Sequence, residues 1–183
     1  ADEEKKARYV DESNEMGITV KVPDINRSGV DFTPYADKKE ILYGLSSIKG
    51  ISEASVAPIL AARPFSSVED AISRLPKKQF NKKVGLACIR SGAMDRFDSN
   101  RHNLINAFYD ARKDKDERLL AEDFNRVVKM KYERDTLGMS LSSKSYMSRI
   151  KEGATVNKEM TVKSISTKVD KRGGTMAFMT LEF

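Results

Sequence analysis

The stretch from Gly44 to Ala62, GLSSIKGISEASVAPILAA, constrains this chain more than any other. Its middle, Ile48 to Ser52, sets a glycine between two short helical patterns. Gly50 can take φ > 0 without a steric penalty, and Ser52 followed by Glu53 opens a helix with a hydroxyl cap and a first-turn carboxylate. A turn of this kind aims main-chain N–H groups at solvent, where they attract anions. The plainer reading is a helix-turn-helix corner held by Leu45, Ile48, Ile51, Val56 and Leu60. The turn alone leaves both open.

Charge bears on the choice only weakly. Among 183 residues, 33 Lys and Arg against 27 Asp and Glu give a net charge of +6, which favours acidic partners such as nucleic acid but fits many proteins. Position has to decide. No apolar run is long enough to cross a bilayer, and the start, ADEEKKARYV, lacks the apolar centre of a signal peptide, so a cytoplasmic protein without a membrane partner is expected. Cys88 and His102 are the only cysteine and histidine. They exclude a disulfide and argue against zinc; Cys88 reads as a buried small hydrophobe and His102 as a surface residue near a helix start.

Along the chain a short exposed helix over residues 3–16 ends at Gly17, and Ile18, Val20 and Val22 alternate as a strand until Pro23. Residues 24–37 form an extended connector pinned by Phe32 and Tyr35, before another short strand at 41–43. The second helix of the hairpin runs from Glu53 to about Ala62, with Pro58 predicting a kink or an early end. Ser66 to Glu69 matches a capping box for a helix ending at Pro76. Asn81 then caps a helix over 84–90, preceded by a lysine-rich run, and Ser91-Gly92-Ala93-Met94 repeats the glycine turn of the first unit. From Leu104 a longer helix enters a run of mixed charge and ends near Gly138. Its Asp114 and Asp116 are read as a solvated helical face and not as a metal pair, since on a helix they point apart. Serines from 140 onward form a linker, and two strands around a Gly-Gly turn at 173–174 close the chain. The second domain reads as incomplete, as in a fragment of a longer polypeptide.

Six stretches, MGITVKVPDIN (16–26), ILYGLSSIKGISEASV (41–56), ARPFSSVEDAISR (62–74), NKKVGLACIRSGAMDRFDSNR (81–101), ERDTLGMSLS (133–142) and GGTMAFMTLEF (173–183), together resemble the C-family replicative DNA polymerases, the alpha subunits of bacterial DNA polymerase III. The resemblance implies a mainly α fold. Residues 1–43 correspond to the end of the fingers and a connector, 44–139 to a tandem helix-hairpin-helix domain with the helices after it, 140–158 to a linker, and 159–183 to an incomplete OB-fold. It implies sequence-independent binding of duplex DNA through backbone phosphates, as a non-catalytic part of an enzyme that transfers nucleotidyl groups. The implied DNA contacts are Lys49, Gly50, Ile51 and Ser52 in the first hairpin, Ser91, Gly92, Ala93 and Met94 in the second, and the charges of Lys49, Lys82, Lys83 and Arg90.

Several positions depart from the family pattern. Ser52 replaces a usual second glycine, Pro58 interrupts a usually regular helix, and Ser143-Lys144-Ser145 stands where Gly-His-Pro is common. The family's sliding-clamp motif falls on Leu120, Asp123 and Phe124, without its Gln and with Asp123 in an apolar slot, so Phe124 reads better as a core ring. The catalytic Pro-Asp-x-Asp-x-Asp pattern of the palm is absent, so no cofactor is expected in this segment and magnesium belongs to the parent's palm. Single-stranded template is the implied partner of a complete OB-fold. A free-standing helix-hairpin-helix module of repair or recombination, or a helical scaffold for protein contacts, are the alternatives.

Overall fold

The computed structural model describes residues 3–113, 125–142, 161–169 and 175–182. Contacts divide the chain into two units, residues 1–143 and 144–183. The first is mainly helical with one small sheet. The second contains an antiparallel pair, β4 (Thr161–Val169) and β5 (Thr175–Glu182), with a register shift between Val162 and Ser164. The Gly-Gly turn between these strands, the Asp114 and Asp116 pair and most of the serine-rich linker lie outside the described residues.

In the first unit, α1 (Glu3–Glu15) leads through Gly17 into β1 (Thr19–Lys21). The expected connector contains a strand of its own, β2 (Thr33–Tyr35), which pairs antiparallel with β3 (Glu40–Leu42), while β1 pairs parallel with β3 on its other side. Pro34 is tolerated because β2 is an edge strand, where one row of donors needs no partner. The connector's buried anchor is Ile25. Phe32 and Tyr35 stay partly accessible, Phe32 tilting onto the buried Tyr43 ring with centroids 4.6 Å apart. Around Ile25 the segment works as a clamp. The Ile25 N–H donates to Ala93 O at 2.8 Å, and the Asn26 amide takes both the N–H and the carbonyl of Phe65 at 2.8 Å.

The helical layer comprises α2 (Glu53–Ala62), α3 (Val68–Arg74), α4 (Lys82–Ser91), α5 (Arg101–Arg112) and α6 (Arg126–Leu137). The core joins Leu45, Ile48, Val56 and Ile59 to Cys88, Ile89, Leu104 and Phe108. At the crossing of α4 and α5, a Cβ added to Gly85 would come within 2.1 Å of the Phe108 ring, so glycine is what lets that ring pack on the α4 backbone.

Helix α2 runs from Glu53 to Ala62 as expected, and of the two outcomes foreseen for Pro58 the early end does not occur. Three expectations change in detail. The first helix of the first hairpin is a single 3₁₀ turn, Leu45–Ser47. The cap of α3 is shifted by one residue: Ser67 accepts from the Asp70 N–H, and the Asp70 carboxylate, not that of Glu69, reaches back to the Ser66 N–H at 2.9 Å. Helix α5 stops at Arg112, because Lys113 turns left-handed at φ 57°. The predicted Asn81 cap is present, accepting from Val84 N–H at 3.1 Å.

Candidate nucleic-acid interface

The two glycine turns, alike in sequence, differ in what fills them. Gly50 is exposed with φ 93°, and the chain before it is docked on the end of α6. The Lys49 N–H donates to Thr136 O at 2.8 Å and the Tyr43 hydroxyl to Leu137 O at 3.0 Å, so two orphan carbonyls of α6 are capped by the segment that carries the turn. The Ile51 N–H folds back to Ile48 O at 3.1 Å and its side chain is buried. The main-chain donors of Lys49 and Ile51 are therefore taken up, contrary to the expectation for the quartet's N–H groups, while the Lys49 side chain, expected to add charge, is exposed.

What remains is a compact outward set. Among the described hydrogen bonds none uses the N–H of Gly50, Ser52, Glu53 or Ala54, while those of Ser55 and Val56 turn inward to Ser52 O. Ser52 occupies the cap position of α2 without capping it; its hydroxyl shares a 3.2 Å bond with that of Ser55. The first turn of α2 thus keeps its donors and the positive end of its dipole facing solvent. Lys83 arrives here from the start of α4. A Cβ placed on Gly50 would lie 3.1 Å from Lys83 Cε, so the lysine stem lies across the glycine. Glu53, exposed in the same turn, opposes an anion.

The second turn is closed. Helix α4 ends at Gly92, φ 92°, whose N–H donates to Ile89 O while the Ala93 N–H reaches Cys88 O, a Schellman closure that leaves Ser91, Gly92, Ala93 and Met94 buried. Beneath it lies the guanidinium of Arg101, itself 0% exposed. It forms a fork on Asp95, Nε to Oδ1 and Nη2 to Oδ2 both at 2.7 Å, and also reaches Glu133 Oε1 at 2.7 Å and Arg90 O at 2.9 Å. A Cβ at Gly92 would sit 2.4 Å from Arg101 Nη2. The Gly92 and Ala93 N–H groups are taken by the carbonyls of α4, a protein cation packs behind the turn, and the four expected contacts Ser91, Gly92, Ala93 and Met94 are buried.

The remaining expected residues divide likewise. Lys82 is exposed with its ammonium 5.1 Å from the Tyr109 ring centre. Arg90 is half-buried over the Tyr132 ring, 5.4 Å from its centre, and its Nε is buried without a hydrogen-bond partner among the described residues. Burial raises the Tyr132 hydroxyl above its ordinary pKa, against the opposing charge of Arg90. His102 is buried, with Nε2 3.2 Å from that hydroxyl, so its surface assignment is corrected: it packs between α5 and α6. Cys88 is buried as expected, its thiol pushed up to about 12 by desolvation. Leu120, Asp123 and Phe124 lie outside the described residues. Among the described residues no group of three His, Cys, Asp or Glu side chains is placed to hold a metal ion, and no helix is long and apolar enough to cross a membrane.

Sequence reasoning missed the meeting of Lys83 with Gly50 and the Arg101–Glu133 pair. No local signal marks either, since each joins residues more than thirty positions apart.

Residues 17–104 match the family model described as a helix-hairpin-helix motif. Curated relatives are the DNA polymerase III alpha subunits of Deinococcus radiodurans, 43% identical over 62% of this chain, Thermus aquaticus, 30% over 77%, and Escherichia coli K12, 37% over 65%. The matched stretches amount to 8%, 13% and 10% of those relatives, so the chain spans a small part of their length. With the turn around Gly50, the mainly helical fold and these matches agreeing, the chain belongs to the DNA polymerase III alpha subunit family and represents a helix-hairpin-helix segment of it.

Proposed function

We propose that this chain grips the sugar-phosphate backbone of duplex DNA at the Gly50 turn, as a non-catalytic part of a replicative DNA polymerase. The observation that carries the reading is the pairing of outward N–H donors at Gly50, Ser52, Glu53 and Ala54 with Lys83 laid across the turn. Main-chain donors and a lysine recognise a phosphate and ignore the base, so binding is independent of sequence and weakens steeply with salt. Of the two hairpins the first makes the contact. Lys82 and Arg90 add charge along α4 and are secondary, each already placed over a tyrosine ring.

The whole polypeptide would transfer nucleotidyl groups with magnesium held by carboxylates outside this segment, in the cytoplasm and at the nucleoid. Its duplex grip would serve processivity. Single-stranded template is the partner we propose for the OB-fold of which β4 and β5 form part, and a sliding clamp for the region of Leu120, Asp123 and Phe124. Residues 1–43, 44–139, 140–158 and 159–183 are the boundaries we propose for the fingers end, the hairpin domain, the linker and the OB-fold.

Fluorescence anisotropy with a labelled duplex and a single strand, each at two salt concentrations, tests the DNA reading. Salt-sensitive binding that prefers the duplex and is indifferent to its sequence is expected. Absence of salt-sensitive binding to either would leave only the helical scaffold.

A further inference from the structure

We infer that Glu133 is a latch that ties the chain's exit from the helical unit, residues 140–142, to the closed turn after α4. Glu133 is fully buried, and its two oxygens serve different masters: Oε1 accepts from Arg101 Nη2 at 2.7 Å, while Oε2 accepts from the N–H groups of Leu141 and Ser142 at 2.7 and 2.9 Å and from the Ser140 hydroxyl at 3.2 Å. Arg101 in turn spans Asp95 and the Arg90 carbonyl. One chain of charge-assisted bonds therefore runs from Asp95, three residues past Gly92, to Ser142.

Leu141 is half-buried and Ser142 exposed, so water could satisfy their amides. Instead a buried carboxylate gathers them, and that carboxylate is paired with Arg101 inside the protein. If Arg101 is drawn away, Glu133 is left buried without its partner and leaves its site, releasing the exit segment; if Arg101 loses the Asp95 fork that orients it, its hold on Glu133 loosens. By linkage, freeing the exit segment also loosens Arg101 under Gly92. The same helix, α6, holds the Gly50 turn through Thr136 O, so both turns and the exit segment share one support. Glu133 acts here as a positioning residue, and the inference does not depend on DNA being the ligand.

Amide hydrogen exchange on the full chain tests it. In the unsubstituted protein the Leu141 and Ser142 amides should exchange about 100-fold or more below unstructured-chain rates, and exchange at unstructured rates would overturn the latch. Asp95→Asn touches neither amide, and its site is partly solvated, with 19% of the side chain exposed. It should accelerate exchange at Leu141 and Ser142 by about tenfold while Val56 and Ile59 in α2 keep their protection. Acceleration no larger than that of α2, or none, would reduce the pair to ordinary packing. Glu133→Gln should release the same two amides more strongly. Should that variant unfold, the unsubstituted protein and Asp95→Asn still decide.

Discussion

Arg101 and Glu133 are both 0% exposed, and burying two ions is worthwhile only when each finds its counterion and its remaining hydrogen bonds. Both find them here. Glu133→Gln should therefore cost about 3–5 kcal/mol in urea unfolding, because it takes one of two counterions from a buried guanidinium and turns an amide NH2 toward the Leu141 and Ser142 donors, and a loss under about 1 kcal/mol would refute that pairing. Cys88 gives a pH test. Its native thiol titrates near 12 against an ordinary 9.0, so the unfolded chain ionises first and stability falls as pH rises from 9.0 toward 12. Cys88→Ala should flatten that part of the stability profile, and identical profiles for the two proteins would contradict the burial argument. At this scale the sequence is informative where the signal is local. Gly50 and Asn81 are legible because a left-handed turn and an N-cap need particular side chains at particular steps. Arg101 and Glu133 look like two more solvated charges, since nothing in the neighbourhood of either announces the other. They nevertheless lie within two of the stretches that resemble the polymerase family, 81–101 and 133–142, so part of that resemblance reflects structural need and not ligand contact.

Among the elements, α4 and α5 offer a test in which two effects oppose each other. Alanine favours a helix over glycine by about 1 kcal/mol, whereas a methyl at position 85 would meet the Phe108 ring. The overlap is the larger effect. Gly85→Ala should destabilise by about 1–3 kcal/mol in denaturant unfolding, and a more stable variant would show that the helix crossing yields easily. The placement of the helices was readable from apolar spacing and caps, but their details were not. Ser66 and Ser67 both offer a hydroxyl to α3, and only the path of the chain selects Ser67 with Asp70. Residues 24–37 read as a connector, and the strand holding Pro34 inside it is possible because its edge position leaves a row of donors without need of a partner. The two glycine turns look like repeats because a Schellman closure and an open anion nest both require φ > 0. What separates them is that the Gly92 and Ala93 N–H groups close back on α4, with the long side chain of Arg101 packed behind them from the next helix.

For the whole molecule, the charge excess is too small to define a binding face, and the site depends instead on which lysine reaches which turn. Glu53 lies in the same helical turn as the outward donors, so Glu53→Gln should tighten duplex binding about two- to fivefold at low salt; weaker binding would place the phosphate elsewhere. The resemblance to the polymerase family pointed to the hairpins together; the packing of α4, α5 and α6 buries the second, and the proposal rests on the first. The most direct test of that selection is the slope of log affinity against log salt for a labelled duplex, compared between the unsubstituted chain, Lys83→Gln and Gly92→Ala. Loss of the Lys83 contact should weaken binding and reduce the slope by about one, while folded Gly92→Ala protein should keep the full slope. An unchanged slope in Lys83→Gln, with the loss appearing in Gly92→Ala instead, would contradict the assignment of the DNA grip to the Gly50 turn.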